Sequence, residues 1–394
     1  MFEREYVPAA ARDKILQATS SLSLSASLEY ENSSKTVATC VLSDNEGRVV
    51  SEGAGKGYHC DIGALAESIE HYALSYDWSR HLVESAVKTV RLQPLLNMDG
   101  LVANLPSDCS VINCVTLTDM QSGAPVLLPA VLQMPHIPLT GKACMQAELS
   151  FLNKYSSNSG IAFGCSRPEA LLHGLNEVVE RHVLSKIFMS LCGQHERLML
   201  ASVSADVLDD IFYKVSDFRS AVETMKILIV ETIYGVYFSM AMPKRPDGRY
   251  PICPIGSGCS VDPRVAIKRA ASEFLQTTQL FDASEKATDF RAYALMHKVP
   301  ALQPLLQLEV IRNIDLPCKR LTPPVQMSVT DQVSHVIKKV SSTGLRILSR
   351  TVLSFENGCA VTQIYVPGLE RFNLIRAGLP VVPQHLLHAN KSLQ

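Results

Sequence analysis

The sequence is short of charge. Of its 394 residues only 19% are Asp, Glu, Lys or Arg against 47% hydrophobic, and the formal net charge is −1. Without a positive field a chain has little with which to release counterions from a phosphate backbone, so nucleic acid is excluded as a ligand. No long tract looks disordered, and the balance fits a large folded core in a globular protein.

Long hydrophobic runs are missing as well. Nothing reaches the roughly 18 apolar residues that a membrane span needs. The N-terminus, Met1-Phe2-Glu3-Arg4-Glu5-Tyr6, puts acids where a signal peptide has a basic region, so a cytoplasmic protein with no membrane partner is expected. Eleven cysteines run from Cys40 to Cys359 without a C-x-x-C pair. The odd number and the missing pair argue against a disulfide framework and a zinc ribbon and leave buried, reduced thiols. The closest pairs, Cys109 with Cys114 and Cys253 with Cys259, are spaced too widely for a metal knuckle. G-x-S-x-G and H-E-x-x-H are absent, and with them support for common hydrolases.

What is present alternates between strand and helix patterns. Residues 36–42 and 47–51 flank the turn Asp44-Asn45-Glu46 as a β-hairpin. Further strands are expected at 111–116, 125–133, 226–231, 235–242, 345–353 and 360–366. Helical periodicity marks 64–76, 168–192, 204–213, 263–281 and 330–340, with Pro168 and Pro263 where a first helical turn tolerates proline. The serine-rich stretch 20–25 fits either an alternating strand or a surface segment. The fold class is α+β with mixed, largely antiparallel sheets, broken at the proline-containing segments 243–254 and 317–324.

Two helices carry paired acids. Ala66-Glu67-Ser68-Ile69-Glu70-His71 and Asn176-Glu177-Val178-Val179-Glu180-Arg181 each place two carboxylates three residues apart, on one face, among apolar neighbours. Like charges at this spacing repel, and burial worsens the repulsion unless a proton, a basic group or a metal neutralises them. Four hard oxygen ligands from two helices suit Mg²⁺ bridging nucleotide phosphates. Two solvated helix faces remain the other explanation. A third helix, through Arg269, Glu273 and Gln276, sets polar groups within an apolar stripe and reads equally as an amphipathic surface helix. Gly53-Ala54-Gly55-Lys56-Gly57 lacks the leading glycine and the hydroxyl residue of a Walker A loop; it permits an anion to approach Lys56, and a β-turn explains it as well. His173 and His182 read as packing residues.

Taken in order, these segments resemble the YcaO family. The blocks are Gly55-Lys56-Gly57 with Ala64 to Tyr72, Ser157 to Gly164 with Glu169 to Arg181, Gly256-Ser257-Gly258 with Asp262-Pro263 and Arg269 to Gln276, and Val366-Pro367-Gly368-Leu369. The resemblance implies a YcaO-like catalytic domain at 51–370 between a strand-rich segment at 1–50 and a tail at 371–394. It implies ATP and Mg²⁺ as cofactors, with Glu67, Glu70, Glu177 and Glu180 as metal ligands and, with Arg269, the catalytic set. Lys56, Ser157, Asn158, Arg181, Arg269, Glu273 and Gln276 would belong to the nucleotide pocket. The family's chemistry is O-phosphorylation of a backbone amide in a ribosomally made precursor peptide. A neighbouring Cys, Ser or Thr then gives a thiazoline or oxazoline, sulfide a thioamide, and an amine an amidine.

Three positions depart from the family pattern. Gly63 stands where serine often precedes the first acidic pair, and His71 where arginine follows it. The terminus from Pro380-Val381-Val382-Pro383 to Gln394 lacks the P-x-P-x-P of azoline-forming members. No leader-recognition segment is evident, so the resemblance implies a partner related to ubiquitin-activating enzymes or to TfuA, with a flavin dehydrogenase in a larger complex, and a homodimer is expected. The departures also admit a noncatalytic scaffold that binds peptide or partner.

Overall fold

The structure is a computed structural model that describes residues 3–75, 81–106, 111–135, 149–212, 216–246, 248–321 and 326–389. The expected hairpin is present in a three-stranded antiparallel sheet, β1 (Ser25–Tyr30), β2 (Val37–Ser43) and β3 (Val49–Lys56). The sheet is covered by α1 (Pro8–Ser21) and α2 (Cys60–Ser75). A second sheet runs β4 (Val83–Ala86), β5 (Val111–Asp119), β13 (Leu348–Ser354), β14 (Ala360–Tyr365), β7 (Ile161–Gly164), all antiparallel, with β6 (Pro125–Pro129) also on β5. The third runs β11 (Gly256–Ser260), β10 (Tyr237–Pro243), β9 (Met225–Glu231), β8 (Ala201–Val203), β12 (Cys318–Lys319), and its β8–β12 contact is parallel. This is the mixed, largely antiparallel α+β class expected.

Helix α3 (Arg167–Leu191) runs through the middle, buried on most of its circumference, with α4 (Pro263–Gln279), α5 (Ala283–His297) and α6 (Val329–Ser342) further along the chain. The prolines do sit in first turns. Ser166 caps α3 by accepting from the Glu169 N–H at 3.3 Å, and Asp262 caps α4 by accepting from Arg264 at 2.8 Å, each worth about 1 kcal/mol. The core of α3 packs Leu172, Leu175 and Ile187 with Leu228, Phe238 and Ile364 of the two larger sheets.

Three strand and helix pairs are drawn unusually close by glycine. A Cβ on Gly53 or Gly55 of β3 would come within 2.3 Å of Ser68 N or 1.7 Å of Cys60 O in α2. On Gly164 of β7 it would meet Ala170 N of α3 at 2.3 Å, and on Gly256 of β11 it would meet Ala270 O of α4 at 2.2 Å. The glycine run around Lys56 is therefore mostly strand, with its glycines set by packing; only Gly57, at φ +74°, turns.

Several expectations shift. Residues 8–21, within the segment read as strand-rich, form α1, whose Ala11, Ile15 and Ala18 face the core at helical spacing. The strand expected at 125–133 ends at Pro129 and passes into a 3₁₀ turn, Ala130–Leu132. Residues 25–30 continue from the undecided serine stretch as β1. Nine described cysteines are free thiols, all buried or half-buried except Cys318; Cys109 lies outside the described residues. No helix among the described residues is long and apolar enough to cross a membrane.

Candidate functional site

The N-terminal strand of each close pair and the helices around it exchange polar contacts. Ala54 of β3 donates its N–H to Glu67 of α2 at 2.6 Å and accepts from the Gln276 amide of α4 at 2.9 Å. Phe163 of β7 donates to Glu70 of α2 at 2.6 Å, while Gly160, just before β7, donates to Glu177 of α3 at 3.1 Å. Ser257 of β11 donates its hydroxyl to Glu180 of α3 at 2.6 Å, and its backbone lies beside Glu273 of α4. The result is a ring in which polar groups of α2, α3 and α4 meet over three strands.

Five carboxylates thus share one region. Lys56 pairs with Glu273 at 2.6 Å. Arg181 lies more loosely beside Glu177 at 3.8 Å and Glu180 at 3.9 Å. Burial holds Glu70 well above the usual carboxylate range; the Phe163 N–H opposes this, and the charges of Glu67 and Glu177 add to it. That mutual repulsion places the α2 pair within electrostatic reach of the α3 pair. Burial likewise pushes Glu177 up to about 7 against the pull of Arg181 and the Gly160 N–H, although part of its surface still meets solvent. Glu180 is raised by burial and then by Glu273. Glu273 moves the other way: burial would raise it, but Lys56 and Arg181 outweigh that. For Arg181 burial favours the neutral form, and Glu180, Glu273 and Glu177 more than restore the charge.

Such a site is anionic, recessed and only partly neutralised, which is the condition a divalent cation relieves. Each of Glu67, Glu70, Glu177 and Glu180 bonds the protein through a single carboxylate oxygen. Among the described residues no three acidic, histidine or cysteine side chains lie close enough to enclose an ion by themselves. This donor set fits Mg²⁺, which takes one or two carboxylates and completes its shell with water and phosphate oxygens. Two buried atoms beside the cluster are also without hydrogen-bond partners, Ser159 Oγ and His173 Nδ1. Burial, with Arg269, Arg4 and Lys56 nearby, keeps the His173 ring neutral. His182, by contrast, is a core residue, bonded to Tyr234 Oη and the Glu370 N–H at 2.9 Å each.

The remaining sequence-selected residues divide. Ser157 shares a small cavity of about 30 Å³ with Arg181. Asn158 is exposed on the same loop, and its carbonyl accepts from Ile161 at 3.1 Å. Arg269 is turned to Glu3, at 2.7 Å, and to the Cys259 carbonyl at 3.0 Å. Glu3, buried in the left-handed region at φ 63°, also accepts from Ser260 and Asn176; no spacing in the sequence pointed to it. His71, in the place of a family arginine, is half-buried and faces the Glu52 carbonyl at 2.6 Å. A Cβ on Gly63 would press on Gly55 Cα at 3.3 Å, a contact tighter than most.

The protein-family comparison matches residues 54–370 to YcaO cyclodehydratases, described as ATP- and Mg²⁺-binding. An uncharacterised protein in the tfuA 3′ region of Rhizobium leguminosarum bv. trifolii is 28% identical over 229 residues, covering 54% of this chain and 52% of that protein. The fold matches YcaO from Methanopyrus kandleri bound with AMPPCP and Mg²⁺ at TM-score 0.63 and 17% identity, covering 96% of each chain. It also matches a heterocyclase in complex with substrate and cofactor at TM-score 0.66 and 18% identity, covering 93% of this chain and 52% of the other. The chain thus spans about half the length of that heterocyclase and of the Rhizobium relative. With four ordered motif blocks, the architecture of solved relatives and a family match over most of its length, this chain belongs to the YcaO family, whose cofactors are ATP and Mg²⁺.

Proposed function

We propose that this protein activates backbone amides of a ribosomally made precursor peptide by ATP-dependent O-phosphorylation, closing Cys, Ser or Thr side chains into thiazolines or oxazolines. The observation that carries the reading is the meeting of α2, α3 and α4 carboxylates in one recessed, under-neutralised site. In this reading Glu67, Glu70, Glu177 and Glu180 hold Mg²⁺. Lys56, Ser157, Asn158, Arg181, Arg269, Glu273 and Gln276 hold the nucleotide, all within a catalytic domain at 51–370. Bound ATP and Mg²⁺ supply the phosphoryl group and the charge neutralisation that let an amide oxygen leave as phosphate.

The chain's own part is positioning and charge. Lys56 is held by Glu273 and Arg181 is kept cationic by three carboxylates, so both stay aligned as phosphate partners without reorganising. Strand N–H groups fix the carboxylate rotamers from behind. A leader-binding partner related to ubiquitin-activating enzymes would deliver the peptide.

A second reading, thioamide formation with a TfuA-type partner, is favoured by one observation. The Rhizobium relative is named for its place in the tfuA 3′ region. Mass spectrometry after incubation with precursor, partner, ATP and Mg²⁺ tests both. Loss of one water per modified residue supports the azoline; exchange of oxygen for sulfur when sulfide is supplied supports the thioamide. Unchanged peptide with either partner and consumed ATP would refute both.

A further inference from the structure

The chain ahead of α1 is fastened to the helices of the site. Glu3 is only 4% exposed, and its carboxylate collects donors from three separate elements. Oε1 accepts from the Ser260 hydroxyl of β11 at 2.5 Å and from the Asn176 amide of α3 at 3.2 Å, and Oε2 pairs with the Arg269 guanidinium of α4 at 2.7 Å. Ser260 passes the contact on, since its Oγ accepts at 3.0 Å from the N–H of Asp262, the cap of α4. Two residues further, the Glu5 N–H is bound by Glu169 in the first turn of α3, whose other oxygen takes the Cys165 N–H at 3.0 Å. Glu3 holds a left-handed backbone, φ 63°, which a residue with a side chain keeps only where its surroundings dictate it.

The residues that Glu3 grips adjoin the acidic cluster. Asn176 precedes Glu177 in the chain. Arg269 lies one turn before Glu273 and two before Gln276, on the face of α4 that meets Lys56 and Ala54. A guanidinium in so acidic a region is drawn to any carboxylate in reach. Among the described residues, however, Arg269 makes no ion pair with Glu177, Glu180 or Glu273; it pairs with Glu3 and donates to the Cys259 carbonyl at 3.0 Å. The Arg269 side chain is 21% exposed against 4% for Glu3, so of the two it is the one that can meet a ligand.

We propose that Glu3 is a positioning residue of the site, holding the Arg269 guanidinium off the acids of α3 and in place for a phosphate of the bound nucleotide. This role rests on the proposed function in taking Arg269 as a nucleotide partner. The seat calls for a group that only accepts: all three neighbours donate into it, and an amide there would turn its own N–H groups toward a donor. A mere competitor for Arg269 would have to leave when the nucleotide arrives, and burial among three donors opposes that departure.

The test is a double-mutant cycle on the full chain. Mg²⁺–AMPPCP is titrated calorimetrically into wild type, Glu3→Gln, Arg269→Gln and the double variant, each shown to be folded by thermal melting. The melting shift at millimolar Mg²⁺–AMPPCP extends the range to weak binders. Glu3→Gln should weaken binding about tenfold, the scale for removing a partner that orients a ligating group. In the Arg269→Gln background the same change should alter affinity less than about twofold, because Glu3 acts through Arg269. Glu3→Asp, run through the same cycle, keeps the charge and should lose less than Glu3→Gln, so the outcome does not hang on one variant. Equal losses in both backgrounds, or a lowered melting temperature with wild-type affinity, would make Glu3 a structural residue and overturn the proposal. Tighter binding by Glu3→Gln would overturn it as well and make Glu3 a competitor. A wild type that binds no Mg²⁺–AMPPCP refutes the proposed function and this role together, whereas binding without coupling between Glu3 and Arg269 refutes this role alone.

Discussion

The acidic pairs on α2 and α3 share a spacing and differ in how they are neutralised. Glu67 and Glu70 are met by backbone N–H groups of β3 and β7, and the residue after them, His71, bonds the Glu52 carbonyl of β3 instead. Glu177 and Glu180 are met by one N–H and one hydroxyl, and the residue after them, Arg181, stays beside them. Neutral donors fix a carboxylate's direction without cancelling its charge; a guanidinium does both. The α2 pair should therefore depend more on an added cation, and the α3 pair should be more self-sufficient.

Replacing Glu70 by Gln tests this most severely. The amide keeps an acceptor for the Phe163 N–H and removes the charge. Mg²⁺-dependent turnover should fall by about 10² to 10³, the usual scale for losing one charge-stabilising group. Melting of the metal-free protein at pH 8 should stay level or improve, because burial opposes ionised Glu70. A marked loss of stability would mean that the pair is structural.

The pH dependence of the metal-free protein is the next largest effect. A carboxyl raised to about 7 in the folded state contributes stability that is complete below its unfolded value, near 4.5, and is lost as pH rises through 7. Glu177 should therefore cost up to about 3 kcal/mol on going from pH 5 to pH 8. The decline, followed by thermal melting, should shrink in Glu177→Gln and on adding Mg²⁺–AMPPCP.

Arg181→Met makes the α3 pair resemble the α2 pair. Stability should fall by about 1 to 2 kcal/mol, less than for a fully enclosed pair because a third of the Arg181 side chain meets solvent. The pH midpoint assigned to Glu177 should move upward. The converse change, His71→Arg, should alter stability by less than about 0.5 kcal/mol, since the side chain there is only half-buried and its one bond, to the Glu52 carbonyl, lies at the surface. A large gain would show that position 71 reaches the carboxylates after all.

The sequence made the acidic pairs legible because an i, i+3 repeat of like charge stands out in a chain with so little charge. It also gave Lys56, Arg181, Glu273 and Gln276, which the fold gathers around the same strands. The glycines near Lys56 misled, since a loop and a strand pressed against a helix demand the same residue for different reasons. Helix α1 went unseen because its few apolar positions give it little contrast between faces. Backbone donors such as Phe163 and Gly160 carry no side-chain signal, and Glu3 meets Arg269 only through long-range folding.

Calorimetric titration of Mg²⁺–AMPPCP into wild type, Glu70→Gln and Glu177→Gln tests most directly whether acids from separate helices serve one site. We expect each substitution to weaken binding by about tenfold or more. Wild-type affinity in either variant would contradict the account.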